Sequence, residues 1–194
     1  MKRLAVLISG GGSNLQALMD AIAGGTLAAE IGLVVSNHAD ALGLQRARRA
    51  GVPTLCLPLK PHLASGGSRK EYDANAARHV AAAAPDLIIL AGWMHIFGTA
   101  FLDCFPGKVI NLHPALPGAF PGTRAIERAL AAFKRGEIAH TGIMVHKVIA
   151  EVDAGPVLGT RTVPITAADD LTTLSARMHV AEHQLLVEVV THLI

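Results

Sequence analysis

The chain alternates short, unbroken apolar runs with segments of helical spacing, and that alternation leaves few folds open. Leu4-Ala5-Val6-Leu7-Ile8 is the kind of run a parallel strand shows when both its faces are covered. Leu15, Leu18, Met19 and Ile22 then repeat at helical spacing. The pairing recurs. A strand over 31–35 precedes a helix over 41–50 that ends at Gly51, and a further strand is expected near 53–57. Residues 58–67, which contain Pro and Gly, read as a loop. Ser68-Arg69-Lys70-Glu71 is a capping box that opens a helix running to about residue 84, where Pro85 stops it. Then follow a strand over 86–91, a helix over 99–105, a strand over 108–112, a Pro/Gly loop over 114–122 and a helix over 123–135. Two strands, 141–149 and 156–163, and a helix over 169–193 complete the chain.

This order predicts an α/β fold: a Rossmann-like, mostly parallel sheet with right-handed crossovers and helices on both faces. The two strands of the C-terminal pair are joined too briefly for a crossover, so that pair is expected to be antiparallel. No repeat or linker divides residues 1–194, which read as a single domain long enough for a full core. Hydrophobic residues make up 51% and charged residues 16%, which suits a largely covered sheet. The formal charge is +2 with the Lys and Arg scattered, and aromatics are 4%, so no nucleic-acid surface is expected. No run reaches the length of a membrane span, and the first apolar run is already a strand rather than a signal peptide. No membrane association and a cytoplasmic location are therefore expected. Cys56 and Cys104 read as free core thiols of a reducing compartment.

Chemistry is suggested in two places. The first is Ser9-Gly10-Gly11-Gly12-Ser13-Asn14, set between a strand and a helix. Glycines let a ligand approach the backbone, and the amides at a helix start face an anion. Leu15 stands where a dinucleotide fingerprint has its third glycine, and Ser36-Asn37 ends the second strand without the acidic residue that would hold a ribose. No Gly-Lys-Ser/Thr follows, so the loop is not a P-loop. It reads as a site for a phosphate monoester, or else as a tight turn.

The second place is Asn111-Leu112-His113-Pro114, followed by Asp153 in Asp153-Ala154-Gly155-Pro156. Asn111 and His113 are two apart, so on an extended chain their side chains point the same way. A donor, a titratable ring and an anion suit an oxyanion that must be held and protonated. Satisfied turn residues are the competing reading. Gly12, Gly92-Trp93-Met94 and Asn111-Leu112-His113 all follow strands, so they are expected to share one crevice at the carboxyl edge of the sheet.

Taken in order, residues 8–16, Ala91-Gly92-Trp93-Met94, Asn111-Leu112-His113-Pro114, Phe120-Pro121-Gly122, Thr141-Gly142, Val145-His146, Asp153-Ala154-Gly155-Pro156 and Glu182-His183 resemble the phosphoribosylglycinamide formyltransferase family. The resemblance runs from about residue 3 to 190. It implies formyl transfer from the co-substrate 10-formyltetrahydrofolate to the amine of N1-(5-phospho-D-ribosyl)glycinamide (GAR), in purine synthesis. It further implies small-molecule partners, no metal, and a monomer or homodimer. It assigns Asn111, His113 and Asp153 to the chemistry, with Asp153 raising the pKa of a protonated His113. Gly12, Ser13 and Asn14 would bind the GAR phosphate and Glu182 its ribose. Arg69, Trp93, Met94, His95, Ile96, Phe97 and Asn111 would form the folate pocket, with His146 supporting the site from behind. Met144 stands where Ser or Thr is usual in the family, His95 where Arg often is, and Val187 where Pro is common.

Competing readings accompany several of these residues. Trp93 and Phe97 suit either a pterin stack or a plain core. Arg69, in the first turn of its helix, opposes the helix dipole, which favours a functional reason such as a folate carboxylate. His179-Val180-Ala181-Glu182-His183 matches an inverted zinc-protease pattern, but too little chain follows to supply a third ligand. Two other functions remain open: a non-catalytic phosphate-binding module of the same fold, and a formyltetrahydrofolate hydrolase without its regulatory domain.

Overall fold

A computed structural model describes residues 1–194. Seven strands form one sheet in the order β3-β2-β1-β4-β5-β6-β7. In chain order the elements are β1 (Lys2–Ile8), α1 (Ser13–Ala23), β2 (Ala29–Ser36), α2 (Leu42–Arg49), β3 (Thr54–Cys56), α3 (Leu59–Ala64) and α4 (Arg69–Ala82). They continue with β4 (Leu87–Leu90), α5 (Thr99–Leu102), β5 (Val109–His113), α6 (Ala125–Lys134), β6 (His140–Lys147), β7 (Val157–Pro164) and α7 (Leu171–Leu193). The pairs β1–β2, β1–β4, β2–β3 and β4–β5 are parallel. β6–β7 is antiparallel, as its short connection requires, and β5–β6 is antiparallel as well, although α6 lies between those two strands.

β1 shows why its sequence lacks alternation. Leu4, Val6 and Ile8 enter a larger core with α1, α6 and α7, while Ala5 and Leu7 enter a smaller core with α4 and α5. Residues Leu4 to Ile8 are all fully buried. Each buried Leu or Ile contributes about 1.5–3 kcal/mol, so both helical layers depend on this strand.

Two expectations need correction. Residues 58–67 are not all loop, because α3 lies within them. Pro61 sits in its first turn, where the missing N–H has no intrahelical acceptor to lose. Both cysteines are free, but Cys104 is exposed rather than in the core, and Cys56 is only partly buried against the larger core. No helix is long and apolar enough to cross a membrane.

Helix entry is set by capping. Ser68 opens α4 with the expected capping box, and Asp170 does the same for α7 with Thr173. Beside it, Asp169 fastens α7 to the end of β7. Its carboxylate accepts from the Thr166 amide at 2.7 Å and from Arg177 Nη2 at 2.7 Å and Nη1 at 2.9 Å. The Arg177 guanidinium, with the Thr166 amide behind it, holds the Asp169 carboxyl far below the usual carboxylate range. Because the folded value lies below the unfolded one, this pair stabilises the fold fully above about pH 4 and fades as pH falls further. Asp169→Asn is expected to lower the melting temperature at pH 7, with the gap to wild type closing below about pH 4. Thermal unfolding across pH checks this; a gap that is independent of pH would remove the ion pair as its cause.

Candidate active site

The carboxyl ends of β1, β4 and β5 open into a cavity of about 600 Å³. The loop after β1 forms one wall, residues 92–97 another, and residues 122–126 and 148–153 the remainder, with His179 and Glu182 reaching in from α7. The crevice expected from the sequence therefore exists, and it holds Gly12, Ser13, Asn14, Trp93, Met94, His95, Ile96, Phe97, Asn111, His113, His146, Asp153 and Glu182 together. Arg69 does not line it.

Sheet register brings the chemistry-bearing side chains together. Asn111 pairs directly with His146 across the β5–β6 ladder, so the two share a face with His113. Asp153 folds back over them from the loop between β6 and β7. Its Oδ2 lies 3.3 Å from His113 Nδ1 and accepts from the Gly122 amide at 2.8 Å. Its Oδ1 accepts from Asn111 Nδ2 at 3.2 Å and lies 3.5 Å from His146 Nε2. His146 Nδ1 lies 2.9 Å from the Lys147 carbonyl, and its Nε2 faces Asn111 and Asp153.

Burial decides the electrostatics. It pushes the Asp153 carboxyl up, but the contacts of His146 and the Gly122 amide outweigh it and hold the carboxyl below its ordinary value. For His113 the balance goes the other way. Burial pushes its pKa below the ordinary value, and Asp153 and the Phe120 carbonyl restore only part of it. This corrects the expectation of a standing imidazolium. Asp153 does favour the charged ring, but desolvation wins in the free site. Both ring nitrogens nonetheless face oxygen acceptors, since Nε2 lies 3.1 Å from the Phe120 carbonyl. Proton uptake is thus prepared in geometry before it is favourable in energy.

The glycine loop is built as tightly as its spacing implies. Gly12 takes left-handed backbone angles, φ 69° and ψ 34°, at the head of α1, and no side chain caps that helix. The first-turn amides of α1 have no intrahelical acceptors and are free to face an anion. A Cβ on Gly12 would come within 2.6 Å of Gly43 Cα on α2. Gly12 is thus required by helix packing, whatever the loop binds. Asn14 donates to Glu182 Oε2 at 3.0 Å, while its own Oδ1 is buried without a partner. Burial raises the Glu182 pKa, and Asn14 and His179 oppose this only in part.

The opposite wall is apolar. Trp93 stacks on Phe97 with ring centroids 5.3 Å apart, and Phe97 stacks on Phe101 in the smaller core. Trp93 and Phe97 are buried and so belong to the core as well as to the cavity wall. Met94 and Ile96 are exposed toward the cavity, opposite the exposed Ile149 and Val152. Arg69 braces this wall from behind: it pairs with Asp73 at 2.9 Å and donates to the Ile96 carbonyl. The partner Asp73, one turn along α4, answers its unfavourable position in the helix dipole.

Several contributors escape sequence reading. The Phe120 carbonyl and the Gly122 amide are backbone groups, signalled by nothing beyond Pro121-Gly122. Arg124 is the one Lys or Arg side chain lining the cavity, and His179 stands beside Glu182. Phe120, Arg124 and Asp153 all carry positive φ, at 46°, 54° and 53°. Such angles cost about 1–3 kcal/mol each and gather at functional sites.

Residues 2–190 match the formyl transferase family. The chain is 46% identical over 199 residues to the phosphoribosylglycinamide formyltransferase of Schizosaccharomyces pombe, covering 98% of this chain and 96% of that one. It is 40% identical over 181 residues to the Escherichia coli phosphoribosylglycinamide formyltransferase, covering 93% and 81%. The crystal structure of phosphoribosylglycinamide formyltransferase from Bacillus halodurans superposes with a TM-score of 0.92 at 30% identity, covering 99% of this chain and 95% of that one.

The close approach at Gly12 can be tested without any ligand. Gly12→Ala is expected to lower stability by about 1–2 kcal/mol from the left-handed backbone alone, and by more if α2 must shift. Gly11→Ala, whose Cβ would meet nothing within 4 Å, is expected to stay within about 0.5 kcal/mol of wild type. Urea unfolding of the two variants reads the difference; equal midpoints would show that the Gly12–Gly43 approach carries no stability.

Proposed function

Because this chain belongs to the formyl transferase family, we propose that it transfers the formyl group of 10-formyltetrahydrofolate to the amine of GAR, giving formyl-GAR and tetrahydrofolate in purine biosynthesis. The observation that carries this reading is the Asn111–His113–His146–Asp153 cluster, partly buried at Asn111 and Asp153 and buried at the histidines, which shares one cavity with an uncapped helix start and an apolar wall. The phosphate of GAR fits the amides of residues 12–14, and its ribose fits the buried Glu182. The folate ring fits between Met94, Ile96 and the 148–153 loop, over Trp93 and Phe97.

In this reading the GAR amine attacks the formyl carbon. A C–N bond forms and the carbonyl π pair moves to oxygen. The Asn111 amide holds that oxyanion. The formyl group displaces the Phe120 carbonyl from His113 Nε2, which frees that nitrogen for the reacting atoms while Nδ1 keeps Asp153. The developing negative charge raises the His113 pKa just as the proton is needed, and Asp153 stabilises the imidazolium that forms. The proton lost by the attacking nitrogen reaches the departing folate nitrogen through His113, and the bond to that nitrogen breaks. Holding two substrates in line supplies rate alongside the acid, on the order of several kcal/mol.

An absorbance assay for tetrahydrofolate, run with and without GAR, tests the reaction. Product that depends on GAR supports transfer; formate released without an amine would replace transfer by hydrolysis. Asp153→Asn is expected to lower kcat at pH 7.5 by about 10²–10⁴-fold, with much smaller changes in KM. Asn has nearly the same shape and tolerates the left-handed backbone at this position. Loss of the carboxylate lets burial lower the His113 pKa further, so the deficit is expected to persist as pH falls from 7.5 to 6. A variant with wild-type kcat anywhere in that range would remove Asp153 from the catalytic set.

A further inference from the structure

The loop between β1 and α1 turns two successive carbonyls toward α2. The Gly43 amide donates to the Gly10 carbonyl at 3.1 Å, and Arg46 Nε donates to the Gly11 carbonyl at 2.9 Å. Neither Gly43 nor Arg46 lines the cavity, so both hold the loop from behind. The chain has no cis peptide bond. Across a trans peptide the carbonyl and the following N–H point in opposite directions. The amides of Gly11 and Gly12 therefore point away from α2, to the cavity side, where they join the free first-turn amides of α1.

This orientation is not secured by the loop itself. The Gly11–Gly12 peptide is flanked by two residues without Cβ, so rotating it by half a turn meets little steric resistance. The rotated form would aim a carbonyl oxygen at the anion. What opposes rotation is Arg46, whose planar guanidinium is fixed at a second point by Nη1 donating to Gln16 Oε1 at 3.2 Å. Gln16 is in turn held by Asp20 at 2.8 Å.

We infer that Arg46 is a positioning residue for the anion subsite, holding the Gly11–Gly12 peptide with its amide toward the ligand while touching no ligand itself. The inference rests on reading loop 10–14 as the site of the substrate phosphate.

The test uses Arg46→Met in the full chain, which keeps the apolar stem and removes both donors. KM for GAR is expected to rise about tenfold, the effect of losing a hydrogen bond to a charged group. The kcat at saturation and KM for 10-formyltetrahydrofolate are expected to stay within about twofold. Arg46→Lys, which keeps one donor, is expected to recover most of the loss. The thermal shift that inorganic phosphate produces in wild type is expected to shrink in Arg46→Met. Should that variant fold poorly, Gln16→Met, which frees one end of the guanidinium, is expected to raise KM for GAR in the same direction by less. An unchanged KM for GAR beside a clear phosphate shift in wild type overturns the role of Arg46 alone. Equal loss in kcat and both KM values also overturns it, since general damage would explain that result. No phosphate shift in wild type, with dephosphorylated GAR used as well as GAR, removes the phosphate reading itself.

Discussion

A carboxylate taken out of water must be compensated on both oxygens, and the side chain of Asp153 is only 10% exposed. The Gly122 amide and His113 answer one oxygen; Asn111 and His146 answer the other. These partners come from β5, β6 and the loop before α6. One buried charge thus ties together three segments that the sheet alone would leave loosely related. Removing any partner exposes the rest to the cost of an unpaired buried charge, which is why the cluster behaves as a unit.

The same charge explains where the backbone is strained. Asp153, Phe120 and Arg124 all hold left-handed angles that non-glycine residues avoid. Two of the three belong to the loop that closes on His113 and Asp153, and the third is Asp153 itself. Ala84, the remaining such residue, lies far away at the end of α4. Strain of this size persists because the flanking elements over-determine it. β5 and β6 are both buried, and α6 packs into the larger core. The rigid sheet holds the loops in conformations they would not keep alone.

The two cores give the cavity two characters. On the face of the larger core, α1 and α7 bring a glycine loop, Asn14 and Glu182 to its rim. On the face of the smaller core, the aromatic stack that begins in Phe101 ends in Phe97 and Trp93 at the opposite wall. The cavity crosses the end of the sheet between them, with Asn111 and His113 at the junction. A substrate with an anionic end and a substrate with a flat apolar ring can therefore meet over β5, one from each side. That division follows from covering a parallel sheet on both faces.

The βα alternation was legible in the chain because each strand had to be apolar on both faces and each helix on one. Glycine spacing marked the loop after β1, and Asn111 and His113 marked a strand end because extended residues two apart share a face. The family resemblance then linked Asp153 and Glu182 to those residues. What the sequence could not state was balance and backing. The short helix α3 hid behind a proline whose position in the first turn no composition reveals. Arg69 read as a contact for a folate carboxylate and Arg46 carried no signal at all, yet they brace opposite walls of the cavity, because their partners, the Ile96 and Gly11 carbonyls, are backbone atoms distant in sequence. Gly12 read as a ligand contact, and only the packing of α2 made it structural too. The His113 pKa was misjudged for the same reason: the attraction of Asp153 follows from residue type, but the depth of burial that outweighs it belongs to the tertiary structure alone. Residue identity specifies which groups are able to interact, while the protein interior sets the dielectric and the distances that decide which interaction wins.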